Sequence, residues 1–219
     1  MERKLVQTAD GSHTLFVPEL NENYHSVHGA IQESQHVFIK SGLLACEKAS
    51  PAILEIGLGT GLNAFLSLCE AEKIGKSVFY ESIEAYPISA EEIDSLNYLE
   101  LLKEEGRIAD FMKLHEVSAD ANHELTPHFT FRKRIAKLQD TEFESHFDVI
   151  YFDAFAPEKQ SVMWTDEVFQ KMFAALKPGG FLVTYCAKGV VKRTMRAAGF
   201  TVEGIPGPPG KREMIRATK

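Results

Sequence analysis

Residues with chemical potential cluster at two places in the chain. The first is Glu55-Ile56-Gly57-Leu58-Gly59-Thr60-Gly61, a glycine-dense turn between an apolar run and a segment of helical pattern. Glycines in that position permit a tight turn and a close backbone approach to a ligand at the carboxyl end of a strand. The glycines run GxGxG, not the GxGxxG of a dinucleotide fold, and no Gly-Lys-Ser/Thr follows, which excludes a phosphate-cradling loop. Glu55, just ahead of the glycines, fits poorly with a pyrophosphate. It suits a ligand whose nearby group is cationic, such as the amino group of a methionine moiety. Glu84 closes the next apolar run, where a carboxylate accepts hydrogen bonds from the ribose hydroxyls of an adenosine. With Asn63 just past the turn, Glu55, Gly57, Gly59, Gly61 and Glu84 form a candidate set for S-adenosylmethionine, favoured over NAD by the glycine spacing. The competing reading is a tight strand–helix turn and an ordinary surface carboxylate.

The second place is Phe147-Asp-Val-Ile-Tyr-Phe-Asp153-Ala-Phe-Ala-Pro157. Asp153 ends an apolar run and could accept a hydrogen bond from a substrate amine and relay its proton. Methyl transfer needs little else, because the sulfonium is already an activated leaving group, and alignment with a neutral nucleophile supplies most of the catalysis. Helix capping or ordering of the Phe-Ala-Pro turn is the alternative role for Asp153. Phe155 and Trp164 flank this edge as candidates for base stacking, against a plain core role. Lys188, Lys192, Arg193 and Arg196 share one helical segment, with Lys211 and Arg212 in a later turn. They are candidates for phosphate contact, against a solvated helix face.

These residues need elements to hold them. Asp10-Gly11 between two apolar-containing runs predicts an N-terminal hairpin. Residues 30–48 have near-helical apolar spacing and predict a helix broken near Gly42. Then strands and helices alternate: AILEIG strand, LNAFLSLCEAEK helix, SVFYESIE strand, and a helix opened by a Ser89-x-x-Glu92 capping box. Residues 100–126 are mostly helical in pattern, and FTFRKRIAKL reads as a strand with an edge-like basic portion. FDVIYFDAF reads as a buried parallel strand. Thr165 is an N-cap for a helix stopped by Pro178-Gly179-Gly180. GFLVTYCA is a strand, VVKRTMRAAGF a basic helix with Gly199 at its C′ position, and FTVEGI and REMIRAT a closing antiparallel pair. The expected fold is α/β, a doubly wound, mostly parallel sheet ending in an antiparallel hairpin. Residues 1–49 form a hairpin-and-helix extension and 50–219 the main domain.

Composition narrows the class. The chain has 219 residues and a net charge of −7, an ordinary soluble composition for one domain. Residues 1–152 carry 13 Lys/Arg against 25 Asp/Glu, whereas 153–219 carry 11 against 6; the basic last third permits an RNA partner. Cys46, Cys69 and Cys186 are odd in number and form no CxxC pair, which reads as reduced thiols and a cytoplasmic protein. The N-terminus lacks a signal-peptide core and no run spans a bilayer, so no membrane association is expected. His25-x-x-His28 has no carboxylate or cysteine cluster beside it, and no metal is expected.

Several stretches together are similar to a known family. YHSVHGAIQESQHVFI, EIGLGTGLNAF, YFDAFAPEKQSVMWTDEVF, LKPGGFLVTYCAKGVVKRTMRAAGF and GPPGKREMIRAT resemble the methyltransferase domain of the bacterial tRNA wobble-uridine modification enzyme MnmC, over nearly the whole chain. DAFAP…MWT and the GKREM ending carry the resemblance. It implies a class I methyltransferase that uses S-adenosylmethionine to methylate the exocyclic amine of 5-aminomethyl(-2-thio)uridine at the tRNA wobble position. By that resemblance Glu55, Gly57, Gly59 and Gly61 line the methionine and ribose end of the cofactor, Glu84 takes the ribose hydroxyls, and Asp153 sits beside the methyl group and the amine. The bifunctional enzyme continues into a flavin-dependent oxidase; with this chain ending at Lys219, no flavin and no oxidase activity are expected. The partners implied are tRNA and the enzyme that installs the aminomethyl group. One departure concerns adenine: Lys137 stands where many class I enzymes have an acid, leaving backbone groups or Asp140. Rival readings are aminopropyl or small-amine transfer on the same fold, and a non-catalytic cofactor-binding module.

Overall fold

The computed structural model describes residues 2–219. An N-terminal antiparallel sheet comprises β1 (Lys4–Gln7), β2 (His13–Val17) and β3 (Glu22–Asn23). The Asp10-Gly11 turn joins the first two, as its residues predict; the two-residue β3 has no sequence signal. Helix α1 (Ala30–Ser34) runs without interruption into a π-helical stretch, Gln35–Leu43. The helix ends at Leu43, one residue past Gly42 where the break is expected, and 44–48 are not helical. Gly42 also lets this helix touch the sheet, since a Cβ there would lie 2.5 Å from Tyr151 Cε1.

The main sheet is built from β4 (Ala52–Ile56), α2 (Leu62–Ile74), β5 (Val78–Glu84), α3 (Ala90–Asp94), α4 (Tyr98–Leu102) and α5 (Ile108–Glu116). It continues with β6 (Asn122–Thr126), β7 (Phe129–Ile135), β8 (Phe147–Phe152), α6 (Asp166–Ala175), β9 (Leu176–Thr184), α7 (Gly189–Ala197), β10 (Thr201–Pro206) and β11 (Glu213–Thr218). Strand order is β10-β11-β9-β8-β4-β5-β7-β6. The strands from β9 through β7 are parallel, and β6 and the β10–β11 pair are antiparallel additions. The chain leaves β4 toward β5 and β7, then returns to β4's other side with β8. That reversal makes a switch point between β4 and β8, where a crevice opens at the carboxyl ends.

Alternation along the strands feeds two cores. Ile53, Val149 and Tyr151 pack with Val37, Phe38, Leu43 and Phe65 on one face. Leu54, Ile150 and Phe152 pack with Phe169, Met172, Val191 and Met195 on the other. The helix of residues 30–43 thus shares the sheet's core, and His36 Nε2 donates to Pro206 O at 2.8 Å across to β10.

Local signals mostly hold. Ser89 and Glu92 form both bonds of the capping box, and Thr165 Oγ1 accepts the Val168 N–H at 3.3 Å. Three expectations are corrected. β7 is not an edge: polar β6, expected as helix, covers it, and Arg132 and Arg134 turn inward to Glu81 at 3.8 and 3.3 Å. Helix α6 stops at Ala175, before Pro178, because Leu176 already pairs with Phe147. The Lys-Pro-Gly-Gly segment is then taken into β9, where the register with β8 shifts.

Candidate active site

Register places the site. Ile56 lies opposite both Ile83 and Phe152, so the residues that follow, Gly57, Glu84 and Asp153, emerge side by side. Two hydrogen bonds extend the ladders one step further, Gly57 N–H to Ile83 O (2.9 Å) and Asp153 N–H to Ile56 O (3.1 Å). Gly57 has φ +93°, and a Cβ there would meet Asp153 O at 2.9 Å. Only glycine allows this turn to pass so close to β8. A cavity of about 860 Å³ opens above these three ends, a volume suited to a cofactor and part of a substrate.

Glu84 lines the cavity and is fixed by two backbone donors, Gly59 N–H at 2.9 Å and Tyr86 N–H at 2.7 Å. An ionised carboxylate has about four acceptor positions, so two stay free for hydroxyl donors. Asn63, on the first turn of α2, donates through Nδ2 to Asp153 Oδ2 at 2.9 Å; its Oδ1 is buried without a partner. Asp153 is pushed up to about 7, chiefly by burial, with Glu33 adding to the rise and Asn63 and Lys211 opposing it. Near neutral pH such a carboxyl exchanges its proton readily.

Behind the turn, Glu55 is fully buried and does not reach the cavity wall. Ser82 Oγ donates to it at 2.8 Å, and its other oxygen has no partner. Burial pushes its carboxyl up to about 8, with Asp153 contributing and the Ser82 bond opposing, so it is neutral at pH 7. Gly61 also stands back from the cavity, closed against the His115 ring, with φ +77° at the N-cap of α2. Gly57, Gly59, Asn63, Glu84 and Asp153 line the cavity; Glu55 and Gly61 support them from behind.

The other candidate residues divide. Phe155 lines the cavity and packs edge-on against Tyr24 at 5.1 Å. Trp164 is core instead: it is buried against Phe152 and Phe169, and its Nε1 donates to Phe155 O at 2.8 Å. Its ring therefore has no free face for a base, and the stacking expectation is corrected. Lys188 pairs with Glu158, and Lys192 with Glu213 at 2.6 Å. Arg193, Arg196 and Arg212 are exposed and away from the cavity wall, while Lys211 alone of the basic set lines it. Lys137 and Asp140 both line it on the far side of Glu84.

Sequence reasoning missed a whole wall. Leu20, residues 22–28 and Glu33 close the cavity from the N-terminal side. Tyr24 rests on Gly59, where a Cβ would come within 3.0 Å of its ring, and its hydroxyl accepts from Arg3 Nε at 2.9 Å. His25 is buried with its Nδ1 bonded to Thr14 Oγ1 at 3.0 Å and is held down to about 4 by desolvation, hence neutral. Tyr185 was also missed. The Glu33 signal was a carboxylate on an otherwise core-facing helix turn, visible only once that helix is known to meet the glycine loop. The lining carries Glu22, Glu33, Glu84, Asp140 and Asp153 against Lys137 and Lys211, an acceptor-rich surface matched to a ligand bringing hydroxyls and positive charge.

Comparison with known proteins agrees with this chemistry. A family model described as S-adenosyl-L-methionine-dependent methyltransferase matches residues 106–219. The tRNA 5-methylaminomethyl-2-thiouridine biosynthesis bifunctional protein MnmC of Cupriavidus metallidurans is 30% identical across 93% of this chain and 32% of its own length. That of Pseudomonas entomophila is 27% identical across 90% and 32%. The chain thus spans about a third of the length of these curated relatives. The crystal structure of MnmC2 from Aquifex aeolicus superposes with a TM-score of 0.79 over 99% of this chain and 69% of that one, at 23% identity, which speaks to the fold. The chain belongs to the S-adenosyl-L-methionine-dependent methyltransferase family and is a relative of the methyltransferase part of MnmC.

Proposed function

We propose that this protein methylates the aminomethyl nitrogen of 5-aminomethyl(-2-thio)uridine at the wobble position of tRNA. The observation that carries the reading is Asp153: a carboxyl at the end of β8, facing the cavity, anchored by Asn63 and poised to titrate near 7. S-adenosylmethionine, when bound, supplies an activated methyl group whose sulfur leaves as a neutral thioether. The residues present fit that cofactor. Asn63 lines the cavity and fixes Asp153 there, and Glu84 keeps acceptor capacity for ribose hydroxyls. Gly57 and Gly59 bring the backbone close, and Glu55, neutral and buried, braces the turn from beneath.

The chain's own part in the reaction is orientation and proton handling. A primary amine arrives mostly as ammonium and must lose a proton before its nitrogen has a lone pair to offer. Asp153, ionised in part at pH 7, accepts that proton and hydrogen-bonds the nitrogen, aiming the lone pair. The new N–C bond replaces one N–H bond, and the proton leaves through Asp153 to solvent. Exposed Arg193, Arg196 and Arg212 are left to contact tRNA phosphates, and the domain of residues 50–219 with its 1–49 extension works as one unit around the cavity.

The test is to incubate the protein with labelled S-adenosylmethionine and tRNA bearing 5-aminomethyluridine, then digest to nucleosides. Label should co-migrate with 5-methylaminomethyluridine; label on a ribose or a ring carbon would sink the assignment. The acidic lining also supports a second reading, aminopropyl transfer to a polyamine. Turnover with decarboxylated S-adenosylmethionine and a diamine, and none with tRNA, would select it.

A further inference from the structure

Three side chains at the Asp153 end of the cavity form an arrangement that the chemistry above does not use. Lys211 Nζ lies 2.8 Å from Glu33 Oε1 and 4.0 Å from the centroid of the Tyr185 ring. The two receptors of this ammonium are held independently of it. Glu33 is buried, and its other oxygen accepts the Ser26 N–H at 2.7 Å. Tyr185 donates through its hydroxyl to Ala154 O at 2.9 Å, one residue past Asp153. Lys211 is the less anchored member: it sits in the turn between β10 and β11, and among the described residues Glu33 is the sole hydrogen-bond acceptor of its ammonium.

A carboxylate beside an aromatic face is a receptor for an alkylammonium, combining an ion pair with a cation–π contact. Lysine's terminal CH2–NH3⁺ is the same chemical group as an aminomethyl ammonium. We propose that Glu33 and Tyr185 form the subsite that receives the substrate's ammonium, and that Lys211 is an internal occupant which the substrate displaces. The inference deepens the amine-methylation reading and rests on it for the identity of the natural occupant. All four groups, Glu33, Tyr185, Lys211 and Asp153, line the same cavity. Glu33 and Lys211 both act electrically on Asp153, so an amine delivered to Glu33 enters the same cavity as the carboxylate that must take its proton. Displacement also leaves the number of cations at this end unchanged, so neither carboxylate is left buried and uncompensated. The turn that carries Lys211 packs at Gly210 on the ring of His28, another residue of the cavity wall.

Calorimetry on the full chain tests this with three probes: 5-aminomethyluridine, n-butylammonium and the neutral 5-hydroxymethyluridine. Lys211→Met vacates the subsite and should bind both cations at least tenfold more tightly than wild type, with no gain for the neutral probe. Adding Glu33→Gln should abolish that gain. The proposal is overturned if Lys211→Met binds the cations no more tightly, or if the neutral probe gains equally. If butylammonium follows Glu33 while 5-aminomethyluridine binds no better than butylammonium, the subsite stands and the nucleoside reading falls. Should Lys211→Met fail to fold, Lys211→Arg decides: a guanidinium grips Glu33 through two bonds and resists displacement, so 5-aminomethyluridine affinity should fall at least threefold. Unchanged affinity in that folded variant overturns the proposal.

Discussion

Replacing Glu55 by Gln removes the carboxyl that lies out of water beneath the glycine turn. The native group keeps its proton up to about 8, because burial outweighs the hydrogen bond from Ser82, while an unburied glutamate releases it at 4.5. The native state therefore binds this proton more tightly than the unfolded chain. The resulting stability is full below 4.5 and is lost as pH rises through about 8. Between about pH 7 and pH 9 the loss is roughly 1 kcal/mol, which for a chain of this length is about 2–4 °C in melting temperature. Glutamine is uncharged and still accepts from Ser82, so it mimics the protonated form. Melting curves at both pH values should show wild type falling about 2–4 °C further than Glu55→Gln between about pH 7 and pH 9, with the variant already the more stable at pH 7 and the two converging only as pH falls toward 4.5. Parallel pH dependences would refute the reasoning, since Glu55 would then titrate alike in the folded and unfolded states.

Gly42→Ala should cost about 1–3 kcal/mol, read by denaturant midpoint, because the new Cβ meets Tyr151 Cε1 at 2.5 Å in a filled core; an unchanged midpoint would mean the π-helical stretch shifts freely. Trp164→Phe loses the bond to Phe155 O and should lower stability by about 1 kcal/mol while leaving tRNA affinity intact. A selective loss of tRNA affinity would restore the stacking role. Arg193→Ala with Arg196→Ala should flatten the salt dependence of tRNA binding by about one unit of slope for each phosphate these arginines neutralise, with no change in melting; an unaltered slope removes α7 from the tRNA surface.

Much of the frame was legible because its signals are local. Strand–helix alternation, the Ser89 and Thr165 caps and the Asp10-Gly11 turn each depend on a few adjacent residues, and each formed as expected. The glycine turn and Asp153 were legible because the carboxyl ends of parallel strands are where such folds place ligands. What stayed hidden depends on distant parts meeting. Strand β6 is polar and looks helical until β7 offers it an edge to pair with. Trp164 has the same composition signal whether it faces a base or Phe169. Glu33, Tyr24 and Tyr185 come from three separate elements and share a cavity only after the N-terminal segment folds over the sheet. Lys211 looked like one of several basic surface residues, and its partner stands 178 residues away in sequence.

The central claim is that Asp153 manages the proton of an amine nucleophile. Its most direct test is single-turnover methyl transfer to tRNA bearing 5-aminomethyluridine, wild type against Asp153→Asn, across about pH 5.5 to 8.5. The account predicts a wild-type rate that climbs through about 7 as Asp153 ionises, and a variant at least tenfold slower that lacks that inflection. A variant that keeps the wild-type rate and the wild-type pH profile would contradict it.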